Sequence, residues 1–442
     1  MAAGLPRARS RRLALRSRGA ARCPAPAVTR LRVSPEGCAP MEHHVPPILF
    51  VLIAAALAPI VGAATRRFGL SIVVIELLLG VAIGPQGLGL VAGGEGILPG
   101  LATLGMAFLF FIAGLEIDLP AIRGRPLRIA FAGWASGLVL AVLIALGVRA
   151  AGLTQAWPVV AIALATTALG VLVPILRDAG TTETPFGRTV LASGVMGELG
   201  PILLMSLVLS RRYSVGAQIG LTLGFVVLAL VLARLLVRGV KTPALLGPLR
   251  RGLDHSGQLP IRLALVLIVA LAVLAETAGL DLALGAMTAG MMVGLATRGG
   301  ERVHDLHAKL DAVGFGFLVP VFFLMSGTKL DVRSMVTRPE GLALLAVFFL
   351  ALVVVRLPLI WLLRASLGRR AASGVGLLSA TTLSLIVVLT QVAVEAGVMP
   401  AAEAASMVGA GILTIVVFPA LGFRLAGISP GEVSDAEAHE TL

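Results

Sequence analysis

The chain has 442 residues, 57% of them hydrophobic and only 13% charged, with a mean hydropathy of +0.99. Soluble domains carry about 25% charged residues, so a water-soluble fold is excluded. The net charge of +13 is concentrated at one end: residues 1–40 hold nine arginines and one acid, Glu36, which leaves +5 for the rest and removes the case for nucleic-acid binding.

Residues 1–40 contain no apolar stretch long enough for a signal peptide, and their Arg-rich, acid-poor composition also fits a transit peptide. Met41 opens MEHHVPPILFVLIAAALAPI and reads as a natural start, which makes 1–40 a basic extension, disordered or an over-extended start. Both cysteines, Cys23 and Cys38, fall there, so the body has no disulfide or cysteine metal site. From residue 46 the runs are long and continuously apolar, where a membrane barrel would alternate. The fold class is all-α polytopic membrane protein, with about 13 transmembrane helices at roughly 20 residues per span. The segments are 46–64, 70–90, 97–117, 127–148, 156–176, 187–210, 214–237, 260–279, 281–297, 312–330, 341–363, 371–394 and 403–426.

Ionisable groups inside spans cost roughly 2.5–3.5 kcal/mol each and are functional candidates by default. In chain order, Glu76 falls in segment 2 and has a packing or a transport role. Glu116 and Asp118 close segment 3 and read as helix-end caps. Segment 5 carries Ala165-Thr166-Thr167. Segment 6 carries Glu198, flanked by Gly197 and Gly200 and followed by Pro201, which removes a backbone donor. A carboxylate so placed can trade a proton for a cation near neutral pH. Segment 9 has a run of small residues, Gly285 to Gly294, suited to close helix packing. Lys329 lies near the end of segment 10, where it can snorkel. Arg356 lies mid-segment 11, as counter-charge to a carboxylate or as a stabiliser of a helix end. His255, His304 and His307 read as solvated loop residues. Residues 427–442 form an acidic, disordered tail without Lys or Arg, and no GxGxxG motif follows a strand, so no nucleotide cofactor is expected.

Segment 12 carries Ala380-Thr381-Thr382-Leu383-Ser384, in the same relative position as the Ala-Thr-Thr of segment 5. Six segments (46–210), a connector (214–237) and six more (260–426) give two inverted six-helix repeats, the plan of secondary transporters whose broken helices meet at midplane. Hydroxyls there can satisfy backbone groups freed by a break, or merely bond back to their own helix. Counting Lys and Arg by side gives 20 on one face and 6 on the other, which places the body's N-terminus outside and its C-terminus in the cytoplasm. An organic-solute symporter of the same plan would need a roomier polar cavity, and a membrane enzyme would need clustered acids or histidines at one interface, which the sequence lacks.

Four motifs in order resemble the monovalent cation:proton antiporter-2 family: Arg66-Arg67-Phe68-Gly69-Leu70 with Leu77–Gly89, Phe108–Leu119, Leu284–Gly290 and Val321–Asp331. The resemblance covers about 46–426. It implies a sodium/hydrogen-exchanger membrane domain with two crossed broken helices, a dimerisation domain, an elevator-like motion, and exchange of Na+ or K+ for H+ in a cell inner membrane. A homodimer follows from it, and a separate regulatory subunit is compatible with it. Carried over by position, Glu198 falls where the family's ion-binding aspartate stands, and Thr166 and Thr167 fall at the first broken helix. Thr381, Thr382 and Ser384 fall at the second. Arg356, Lys329 and Glu76 are the candidate charge partners of Glu198. The chain departs from the family in having Gly197 before the carboxylate and Glu in place of Asp. It also lacks the glutamate-bearing pattern of glutathione-gated potassium-efflux relatives in segment 12, which argues against a Kef-like role. One carboxylate carrying one proton or one cation implies electroneutral, one-for-one exchange.

Overall fold

A computed structural model describes residues 46–65, 71–91, 96–117, 122–208, 215–240, 258–297 and 303–428. The basic extension, the acidic tail beyond 428, the motif at 66–70, Asp118 and His255 lie outside the described residues. Among the described residues every regular element is helical. In chain order these are α1 (Pro47–Thr65), α2 (Ile72–Ile83), α3 (Leu98–Glu116), α4 (Arg125–Ala150), α5 (Trp157–Leu164), α6 (Leu169–Asp178), α7 (Pro185–Val208) and α8 (Val215–Val240). Then come α9 (Leu259–Thr277), α10 (Leu282–Thr297), α11 (Val303–Val313), α12 (Val319–Thr328) and α13 (Val332–Thr337). The chain ends in α14 (Pro339–Val354), α15 (Leu357–Ser379), α16 (Ser384–Glu395) and α17 (Ala401–Ala426). A π-helical turn, Gly314–Leu318, joins α11 to α12.

Proline starts many of these helices. It stands in the first turn of α3, α4, α5, α9, α12, α14 and α15, where its fixed φ suits the helix and its missing N–H costs nothing. Ten helical stretches are long and apolar enough to cross a bilayer, and α2 and α10 are shorter apolar helices. Large apolar side chains such as Phe131, Leu143, Val227, Val266 and Trp361 point outward, as they can when lipid rather than water surrounds the body.

Each of the thirteen apolar segments contains helix, with differences of form: in segment 2 the helix ends at Ile83, short of the expected residue 90. Segment 5 is two half-helices, α5 and α6, separated by Ala165–Ala168. Segment 12 is the second part of α15 plus α16, separated by Ala380–Leu383. Between segments 11 and 12, Gly368 takes a φ of +78° and turns the chain inside α15 without a loop. Segment 10 begins earlier than its apolar run, because α11 is amphipathic.

Close glycine contacts sort the helices into two groups. In the first, Gly80 on α2 packs so near α12 that an added Cβ would lie 2.1 Å from the Leu324 carbonyl oxygen. Gly114 and Gly290 press α3 against α10, and Gly285 presses α10 against α9. In the second, Gly133 and Gly137 seat α4 on residues 355 and 359, Gly197 seats α7 on Thr167, and Gly374 seats α15 on α17. Among the described residues no such glycine contact joins α1–α3 and α9–α12 to α4–α7 and α14–α17. Backbones that touch without side chains between them resist sliding. Each group is therefore stiff internally, and the seam between them is not.

Candidate functional site

The two helix breaks cross one another. Backbone groups freed there must be paired, since no water reaches a dry interior. The Ala168 N–H donates to the Thr381 carbonyl (2.9 Å), and the hydroxyls of Thr166 and Thr382 share a hydrogen bond of 2.7 Å. The Thr167 N–H donates to the Gly197 carbonyl (2.9 Å), and its hydroxyl donates to the Ser379 carbonyl (2.7 Å). Trp134 on α4 donates its indole N–H to the Ala165 carbonyl (3.1 Å). On the far side, Thr414 on α17 accepts from the Thr382 N–H (3.1 Å) and donates to the Thr382 carbonyl (3.0 Å). Thr166, Thr167, Thr381 and Thr382 are all buried, as is Ser384, the first residue of α16.

Arg356 lies where α14 passes into α15 and is buried. Among the described residues its guanidinium bonds no carboxylate. Nε donates to the Ser379 carbonyl (3.0 Å) and one terminal nitrogen to the Leu164 carbonyl (3.3 Å). The other terminal nitrogen donates to the Thr166 carbonyl and to the Thr167 hydroxyl. These acceptors are the C-terminal ends of α5 and α15, where helix dipoles concentrate negative charge. Of its two expected roles, Arg356 fills the helix-end one.

Glu198 sits in the middle of α7 with 3% of its surface exposed. Its Oε1 accepts from the Leu169 N–H (3.2 Å), the N-terminal and hence positive end of α6. Its Oε2 is buried and has no partner among the described residues. The crossing thus gives its negative ends to a cationic side chain and a positive end to the carboxylate. A buried carboxylate oxygen without a donor is expensive unless a proton or a cation occupies it.

The expected charge partners of Glu198 are not its partners here. Arg356 bonds the helix ends. Lys329 bonds Glu395 (2.9 Å), at the C-terminal end of α16. Glu76 is buried on α2, in the other helix group, and makes no hydrogen bond or ion pair among the described residues. The Oε2 of Glu116, read from sequence as a helix-end cap, is buried without a hydrogen-bond partner among the described residues. It lies within Coulombic reach of Glu198, Asp311 and Arg177. One signal could have found it, since a carboxylate at a helix C-terminus opposes the dipole and makes a poor cap there. The roles of Trp134 and Thr414 were not legible, because they meet the breaks from distant helices.

With this geometry in view, three comparisons bear on kinship. Residues 52–425 match the family model described as "Sodium/hydrogen exchanger, transmembrane". YjbQ of Bacillus subtilis, which bears the name of a Na+/H+ antiporter, is 31% identical over 394 residues, 85% of this chain and 62% of that protein. The glutathione-regulated potassium-efflux system protein KefC of Klebsiella pneumoniae is 29% identical over 336 residues, 74% of this chain and 51% of that protein. The chain therefore spans half to three-fifths of the length of these curated relatives. A solved structure of the sodium proton antiporter MjNhaP1 from Methanocaldococcus jannaschii, at pH 8, superposes with a TM-score of 0.59. At 16% identity it covers 87% of this chain and 99% of that one, and it shares the fold.

Proposed function

The chain belongs to the sodium/hydrogen exchanger family of membrane transporters, and from that premise we propose that it exchanges a monovalent cation, Na+ or K+, for H+ across the cell membrane. Proton and cation compete for Glu198. The observation that carries this reading is the buried, unpartnered Oε2, held between two helix breaks with no cationic side chain bonded to it. A carboxylate so placed binds one proton or one monovalent cation, and both together would leave a net charge in the interior. Transport then needs only that the loaded site be exposed alternately to the two faces.

The membrane domain occupies 41–426, as two inverted repeats joined by α8, between a basic extension (1–40) and an acidic tail (427–442). The body crosses the bilayer thirteen times with its N-terminus outside, an orientation supported by the bias of Lys and Arg. Glu116, the last residue of α3 and within Coulombic reach of Glu198, is a second carboxyl on the cytoplasmic approach to the site. Thr166, Thr167, Thr381, Thr382 and Ser384 position the breaks around the ion, and Arg356 holds them together. A homodimer is the expected assembly. Potassium efflux is the second reading, supported by the KefC relatives, and it differs in needing no obligatory proton coupling.

The test uses everted membrane vesicles from an antiporter-deficient host, a pH-sensitive dye, and additions of Na+, K+, Li+ and choline. A small cation is expected to dissipate the acid interior, and Glu198→Gln to abolish the response. Potassium flux without proton movement favours the efflux reading. No dye response and no potassium flux from well-inserted protein would sink both.

A further inference from the structure

The two helix groups are knit internally by backbone contacts, but at one face side-chain bonds cross the seam. Ser326 near the end of α12 donates to the Gln391 side-chain carbonyl on α16 (3.1 Å). The Gln391 amide donates to Glu395 Oε1 (3.2 Å), which also accepts from Lys329 Nζ (2.9 Å). The chain of bonds is closed, since Ser326 and Lys329 are successive residues on one face of the same helix end. It spans a cavity of about 50 Å³ lined also by Thr390 and Leu330. The Asp281 N–H also crosses the seam to the Ser206 hydroxyl (3.3 Å), and Gln218 on α8 bridges the carbonyls of Ser206 and Gly279, both at the same face. This is the face with fewer Lys and Arg, proposed above to be the outer one.

We propose that Ser326, Gln391, Glu395 and Lys329 form an outer latch, which holds the group carrying Glu198 against the α1–α3 and α9–α12 group and must open for the ion to reach the outside. The latch rests on the transport reading and deepens it. Its chemistry suits the task. Lys329 and Glu395 keep 42% and 58% of their side-chain surface exposed, so the pair is weak and water can take over both charges when it parts. Directionality comes from the order of groups: a hydroxyl donor, an amide that accepts and donates, a carboxylate, an amine. α16 runs from the crossed breaks to this face, so pulling its outer end away from α12 moves the crossing with it.

The body has no cysteine of its own, which makes the test clean. In the full chain with Cys23→Ser and Cys38→Ser, Thr390→Cys places a thiol in the cavity wall. Its reaction with a membrane-impermeant maleimide applied from outside is expected to be slow. Lys329→Gln or Glu395→Gln should each speed it several-fold, and the charge swap Lys329→Glu with Glu395→Lys should slow it again. Unchanged labelling in the single variants, or acceleration that the swap does not reverse, overturns the latch. A second route is Ser326→Cys with Gln391→Cys: oxidative cross-linking should stop cation-driven proton movement, and reductant should restore it. Full transport by the cross-linked protein overturns the proposal while leaving antiport intact. Labelling needs no transport, so failure of the vesicle assay in the parent protein would sink antiport separately.

Discussion

At the scale of single residues, the neighbour of the carboxylate decides what the site can hold. Gly197 stands where relatives by resemblance carry a polar side chain, and the reason is steric. A Cβ there would lie 2.2 Å from the Thr167 hydroxyl and 2.5 Å from its Cβ. Thr167 cannot turn away, because its hydroxyl donates to Ser379 and accepts from Arg356. Gly197→Ala is expected to destabilise the protein by about 1–3 kcal/mol, as overpacking does. Thr167→Ala in the same chain should recover part of that loss, a non-additivity readable in thermal unfolding in detergent. Arg356 makes a second case. Replacing it by Leu strips donors from the carbonyls of Leu164 and Thr166, at about 1–3 kcal/mol for each buried group left unmet. Arg356→Lys, with one compact ammonium for four separated acceptors, should fall between. An unchanged melting temperature in Arg356→Leu would contradict the role given to it. Arg356 was legible in the sequence as a charge inside a span, but its partners were not. They are chiefly main-chain carbonyls at the two breaks, those of Leu164 and Thr166 standing 192 and 190 residues away in the chain, and no side-chain pattern announces a carbonyl. Glu116 was misplaced for a related reason: its helix end was plain, and its buried surroundings come from α6 and α11.

At the scale of elements, composition and proline spacing were enough for the helices, and hydroxyl pairs marked both breaks. What could not be read was how the breaks cross. That depends on the 2.7 Å contact of Thr166 with Thr382 and on Trp134 and Thr414, which approach from α4 and α17. Neither was the turn at Gly368 legible, since one glycine among the polar and small residues at 364–374 looks like a loop. A short element outside the spans allows a pH prediction. Asp331 caps α13 through the Ser334 N–H (3.1 Å). The Ser334 side chain first, then its backbone N–H and Gln86, hold the Asp331 carboxyl below the usual carboxylate range. The folded value lies below the unfolded one. The stabilisation is therefore complete above about pH 4 and is lost as pH falls through the folded value. Asp331→Ala should cost about 0.5–2 kcal/mol near neutrality and should remove this part of the acid sensitivity. Parallel melts of the two proteins across the acid range check both halves.

At the scale of the whole molecule, the net charge carried through one cycle is the decisive quantity. One free carboxylate in the moving group, with Arg356 already compensated by helix ends, permits one positive charge in each direction. Exchange is expected to be electroneutral, and a current from reconstituted protein on a solid-supported membrane under an imposed cation gradient would exclude it. Helix content was legible at this scale because it depends on sums over many residues, which tolerate local error. The division into two helix groups was not, since glycine contacts declare themselves only in three dimensions. The crossing itself has one more consequence. Thr166 with Thr382, Ala168 with Thr381 and Arg356 with both breaks tie the two halves of the chain into a single knot beside Glu198. A knot so tied travels without reshaping, and an ion sees the same oxygens whichever bath it came from. Half-saturating cation concentrations measured from the two sides at equal pH should then differ only by the fraction of molecules whose outer latch is open. The ion itself sets no direction, and reversing the gradients reverses the flux.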